Sequence, residues 1–89
     1  MRATQIRMKP GCGSSQSLLE IDEIYITGIE RFMQKELVHE YLLIHPETIQ
    51  VDILPFPNLL PARSAYGERY VRSAPNDYLF DNLLALPRR

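Results

Sequence analysis

Between residues 34 and 45 the apolar side chains recur every three or four positions: Leu37, Val38, Tyr41, Leu42, then His45. Gln34, Lys35, Glu36, His39 and Glu40 make the opposing polar side. That spacing predicts one amphipathic helix over residues 34–44. His45-Pro46 ends it, because the residue before a proline is pushed out of the α region. Elsewhere the period is two. Residues 4–9 alternate Ile6 and Met8 with Gln5 and Arg7, which suits an opening strand. Residues 21–32 are rich in β-branched and aromatic types and read as one strand, with Gly28 a bulge or close-approach point. Residues 48–54 set Ile49, Val51 and Ile53 against Gln50 and Asp52, a half-buried strand. Arg69 to Ser73 reads as a last short strand reached through a Tyr66-Gly67 turn.

Between these elements the chain is punctuated. Pro10-Gly11-Cys12-Gly13-Ser14-Ser15 has the composition of a flexible loop. Prolines at 55, 57 and 61 make any strand there short or edge-like. Pro75-Asn76-Asp77 is a turn, and residues 81–86 predict one or two helical turns capped by Asp81. With five large apolar residues between positions 79 and 86, the tail must dock on something. Buried leucines there would make it a structural element, with Arg88 and Arg89 solvated and dispensable beyond Pro87. The fold class is therefore α+β: a small, mostly antiparallel sheet, one amphipathic helix and a short C-terminal helical turn. A chain of 89 residues with no internal repeat is expected to form a single domain, residues 1–89.

Composition adds exclusions. Hydrophobic residues at 45% with 24% charged residues describe an ordinary folding chain. A single cysteine, Cys12, excludes an internal disulfide framework and suits a reducing compartment. The opening residues carry charge without an apolar stretch, so no signal peptide is expected. No run is long enough to span a bilayer, and the expected location is the cytoplasm. The net charge is −1, which argues against a general nucleic-acid binder. Its layout is uneven: residues 19–52 hold eight acidic side chains against Arg31 and Lys35, and the flanks hold eight basic ones against Glu68, Asp77 and Asp81.

Candidate chemistry is sparse. Cys12, His39 and His45 lack zinc-type spacing, so no metal and no cofactor is expected. His39 reads as a solvated helix residue and His45 as a cap-region residue. The glycine-rich loop lacks phosphate-loop spacing, since Lys9 precedes the glycines. No Gly-x-Ser-x-Gly elbow follows a strand. Adjacent carboxylates such as Asp22 and Glu23, or Glu36 and Glu40, read as a solvated face. An enzyme is not expected.

The ending, Tyr70-Val71-Arg72-Ser73 with Pro75, then Asp81-Asn82-Leu83-Leu84 and Leu86-Pro87, resembles a family of small bacterial domains of unknown function. Its members finish with a Tyr-Val/Leu-Arg/Lys-Thr/Ser strand, a turn, and Asp-Asn-Leu-Leu-x-Leu-Pro. Ile26-Thr27-Gly28-Ile29 is similar to the family's Ile-Thr/Ser-x-Ile/Val strand. Lys35-Glu36-Leu37-Val38 opens the stretch where members carry a short amphipathic helix. This chain departs from the pattern at His45-Pro46 and at Pro55-Phe56-Pro57. The resemblance implies a fold and a packed tail, and no activity.

Two function classes remain. The first is a non-enzymatic protein-interaction or accessory module, expected to self-associate as a homodimer or to dock on another protein. The apolar, proline-rich stretch 53–61 carries its candidate interface residues, Phe56, Leu59 and Leu60. The alternative is a small nucleic-acid-binding accessory protein. Arg63, Arg69, Tyr70 and Arg72 are its candidate contacts, because arginines for phosphate beside tyrosines for stacking suit single strands.

Overall fold

The computed structural model describes residues 1–75 and 81–89. Its elements run β1 (Arg2–Met8), a 3-10 turn (Leu18–Glu20), β2 (Ile21–Ile26), β3 (Arg31–Gln34), α1 (Lys35–Ile44), β4 (Gln50–Val51), β5 (Leu59–Arg63), β6 (Arg69–Ser73) and a second 3-10 helix (Asn82–Ala85). The expected α+β class is what forms, with one α-helix and two sheets among the described residues. The larger sheet has the order β3-β2-β1-β4, and β5 and β6 form the smaller one. All pairings are antiparallel except β1 with β4. The two sheets touch where Leu59 N–H donates to the Ile49 carbonyl (2.8 Å) and Val51 N–H to that of Pro57 (2.9 Å).

Register decides which side chains meet the core. Ala3 pairs Ile26 while Gln5 pairs Tyr25, so Thr4 is an extra residue in β1. Arg7 pairs Glu23 while Met8 pairs Ile21, so Asp22 is an extra residue in β2. These two bulges keep Ala3, Ile6, Met8, Ile21, Ile24 and Ile26 all inward. They meet Val38, Leu42, Ile49, Val51, Leu59, Val71 and the leucines of the tail in one core.

The stretch read as a single strand over residues 21–32 is a hairpin. Thr27-Gly28-Ile29-Glu30 turns between β2 and β3, with Gly28 at φ +97° and Glu30 at φ +60°. Glu30 N–H donates to the Ile26 carbonyl at 2.8 Å, and the Glu30 carboxylate accepts from Gly28 N–H at 2.9 Å. Gly28 is thus a turn residue and not a bulge. A Cβ there would also lie 2.8 Å from the Met1 side chain, and the positive φ disfavours any other residue. β4 is shorter than the expected strand over 48–54, although Ile49 and Val51 are buried as their alternation implied. Left-handed backbone at Glu47 and Phe56 (φ +63° and +57°) turns the chain on either side of it.

The helix forms where expected, but it is rolled. Its buried face is Lys35, Val38, His39 and Leu42, while Leu37 is 52% exposed and Ile44 74%. The polar assignment of Lys35 and His39 fails because distant segments supply their partners. Lys35 Nζ donates to the Leu19 carbonyl (2.5 Å) and to Glu68 (2.7 Å), and His39 Nδ1–H donates to the Tyr70 carbonyl (2.9 Å).

Pro61 sits inside β5 without breaking it. Ala74 N–H donates to the Asn58 carbonyl and Ser64 N–H to that of Glu68, which leaves Pro61, opposite Val71, at a position that donates no bond to β6. β6 and the exposed Tyr66-Gly67 turn form as predicted. The expected turn at Pro75-Asn76-Asp77 runs into residues 76–80 and lies outside the described residues.

The tail packs as expected: Leu83, Leu84 and Leu86 are buried. Asp81 caps the helical turn by accepting from Leu83 N–H (2.8 Å), and it also accepts from Ser73 N–H (3.0 Å) and the Ser73 hydroxyl (2.8 Å). Arg88 and Arg89 are a correction, since they are not free beyond Pro87. Ile6 N–H donates to the Pro87 carbonyl and Arg89 N–H to that of Ile6, both at 2.9 Å, extending the β1 edge beyond β4. Arg88 donates to the carbonyls of Gly13, Ser15 and Leu84 (3.0, 2.7 and 3.1 Å), which ties the glycine-rich loop to the tail.

Candidate interaction surface

Because Ala3, Ile6, Ile24 and Ile26 point inward, their strand neighbours point out. The outer face of the larger sheet therefore presents Arg2, Gln5 and Arg7 from β1, Glu23 and Tyr25 from β2, and Phe32 and Gln34 from β3. No helix of the described residues lies over it. Tyr25 and Phe32 are cross-strand partners whose rings meet edge to face, centroids 5.3 Å apart. The Arg7 guanidinium lies 4.0 Å from the centre of the Phe32 ring and 2.5 Å from the Glu23 carboxylate. At the β4 corner Arg2 lies 4.1 Å from the centre of the Phe56 ring and 3.8 Å from Asp52. Arg89 Nε reaches Gln5 at 2.5 Å, and the Tyr25 hydroxyl donates to Glu30 at 3.3 Å. Burial against its neighbours, with the Glu30 charge beside it, raises the Tyr25 pKa and keeps the phenol protonated.

The face is thus a plane of rings and guanidinium groups, locked by paired charges. Arg2 Nη1 is enclosed there without a hydrogen-bond acceptor among the described residues. Sequence reading missed this surface because it depends on the hairpin register, which sets Phe32 beside Tyr25 and Arg7. The available signal was Gly28 followed by Glu30 and Arg31, a polar break in the middle of an apolar run.

The sequence-derived candidates divide. Phe56 joins the outer face through Arg2 and is 37% exposed, beside Leu54 at 65%. Leu59 is fully buried and belongs to the core, so it is withdrawn from the surface. Leu60 pairs Arg72, and Ala62 pairs Tyr70, on the outward side of the hairpin of β5 and β6. Arg69 points the other way and binds Glu40 at 2.6 Å. That bond, helped by the positive charges around it, lowers the Glu40 pKa. Arg63, opposite Arg69, is exposed.

Two further clusters hold charge. Lys35 is enclosed beside Glu68, with Lys9 3.6 Å from the same carboxylate, and the Lys35 hydrogen bond lowers the Glu68 pKa. The Cys12 thiol donates to Glu20 at 2.9 Å, and the Ser15 hydroxyl donates to it at 2.5 Å. The bond to Glu20, reinforced by desolvation, raises the Cys12 pKa and keeps the sulfur a thiol, the poorer nucleophile. Among the described residues no three His, Cys, Asp or Glu side chains are placed to share a metal ion, and no helix is long and apolar enough to cross a membrane.

These features describe a small α+β protein whose family has no assigned activity. Residues 34–87, more than half of the chain, match the model described as "Protein of unknown function (DUF3892)", and the chain belongs to that family. No curated protein and no solved structure matches it. The matched stretch covers α1, β4, β5, β6 and the tail; most of the outer face, on β1 to β3, lies ahead of it.

Proposed function

We propose that this protein is a non-enzymatic protein-interaction module and that the outer face of its larger sheet is the contact surface. The observation that carries the reading is the half-buried pair of Tyr25 and Phe32 with Arg7 beside it, and the Arg2 and Phe56 stack, on a face that no helix of the described residues covers. Tyrosine, phenylalanine and arginine are the types that the centres of protein interfaces concentrate, whereas free surfaces favour lysine and glutamate. Here they are held in place by each other, so docking would freeze few new rotamers. The test is a photo-crosslinking scan in the source organism, with p-benzoylphenylalanine at position 32 or, separately, at position 37 on the exposed side of α1. Adducts at position 32 and none at position 37 are expected. The reverse pattern would move the contact surface to α1.

The second reading is single-strand nucleic-acid binding at the hairpin of β5 and β6. It draws on Arg72 and Tyr70, which share its outward side, and on the fully exposed Tyr66 at its tip. Oligonucleotide binding that weakens steeply with salt and is lost in Arg72→Ala would support it; no binding at low salt would end it.

A further inference from the structure

We propose that the occupant of the outer sheet face is a second copy of the same chain, docked about a two-fold axis. This rests on the reading of that face as the contact surface and adds the identity of the partner. In a two-fold interface one patch meets itself, so the patch must complement its own charges. This one does. Arg2, Arg7 and Arg89 are matched by Asp52, Glu23 and Glu30, and four of the six already pair within the chain, Arg7 with Glu23 at 2.5 Å and Arg2 with Asp52 at 3.8 Å. Arg7 and Glu23 sit side by side as cross-strand partners. A two-fold axis near them sets each arginine, still on its own Glu23, beside the Glu23 of the other copy as well, so no charge is buried unpaired.

Other occupants fit less well. A polyanion would meet as many carboxylates as guanidinium groups on this face and would gain little from counterion release. A strongly charged protein would find no net potential to steer it here. A copy of the face brings the same rings, the same arginines and the same acids, which is the one composition certain to balance it.

The test uses the full chain in sedimentation equilibrium, from low to high micromolar concentration at low salt. The wild type is expected to dimerise. Arg7→Glu leaves the face with excess negative charge and Glu23→Arg with excess positive charge. Each alone is expected to weaken self-association by about tenfold or more, since like charges then oppose across the axis. An equimolar mixture of the two variants should associate again, because their faces complement one another. Thermal melts of both variants establish that they fold. A monomer at every concentration, or a mixture that fails to associate, overturns the proposal. If the chain is monomeric but a crosslinker at position 32 captures another protein, the second copy is wrong and the contact surface stands. A dimer broken by Leu37→Asp and unmoved by Arg7→Glu overturns both.

Discussion

Lys35 is the residue whose environment departs furthest from its type. Its side chain is 1% exposed, and its ammonium is held by Glu68 and the Leu19 carbonyl. An enclosed ammonium is tolerated only with such partners. The lysine therefore pins three segments together: the 3-10 turn before β2, the start of α1 and the turn between β5 and β6. The pH consequence follows from Glu68. Its folded pKa is depressed below the ordinary 4.5, chiefly by the Lys35 hydrogen bond, with Lys9 adding to it. Its contribution is therefore complete above pH 4.5 and drains away as pH falls through the folded value. Glu68→Gln should cost about 1–3 kcal/mol at neutral pH, less than for a fully buried pair because the Glu68 side chain is partly solvated. Urea titrations over a pH series should show the gap between wild type and variant closing on the acid side. A gap that widens there would mean that Glu68 is not held by Lys35.

At the scale of elements, local pattern and long-range partnership part company. β6 and the capped tail were legible because their signals are local: a short β-rich run after a turn, and Asp81 ahead of leucines. The position of α1 was legible too, but its roll was not. An i, i+3, i+4 count scores Leu37 as core and Lys35 as surface, whereas Glu68 and Leu19, far along the chain, decide that Lys35 goes in. The hairpin of β2 and β3 was hidden for a related reason. Ile24, Tyr25, Ile26 and Ile29 read as one strand, and only pairing against β1 shows which side each residue takes. With that register hidden, none of the outer face on β1 to β3 could be assembled from the sequence. Arg88 and Arg89 show the same gap, since Arg89 bonds Ile6 and Gln5, and Arg88 bonds Gly13 and Ser15, all near the other end of the chain. Removing those two residues deletes the Arg89 bond to Ile6 and the three Arg88 contacts to carbonyls. The loss should be about 1–3 kcal/mol, since each such bond contributes on the order of 1 kcal/mol and some are exposed. Thermal unfolding of the truncated chain checks this, and an unchanged midpoint would return the two arginines to solvent.

On the scale of the whole molecule, the described residues close one core and present, besides the outward side of the β5 and β6 hairpin, two unlike surfaces. One is the exposed side of α1, where Leu37 and Ile44 share a helical stripe with Glu40 beside it. The other is the outer sheet face, aromatic and balanced in charge. The second surface, and not the first, is proposed to meet a second copy of the chain. Amide spectra of the isotope-labelled full chain across a dilution series test this most directly, because they report which residues change surroundings as molecules meet. Concentration-dependent shifts should gather at Gln5, Arg7, Glu23, Tyr25 and Phe32, with Leu37, Leu43 and Ile44 unmoved. Shifts gathered on those three helical residues, or spectra identical at every concentration, would contradict the account.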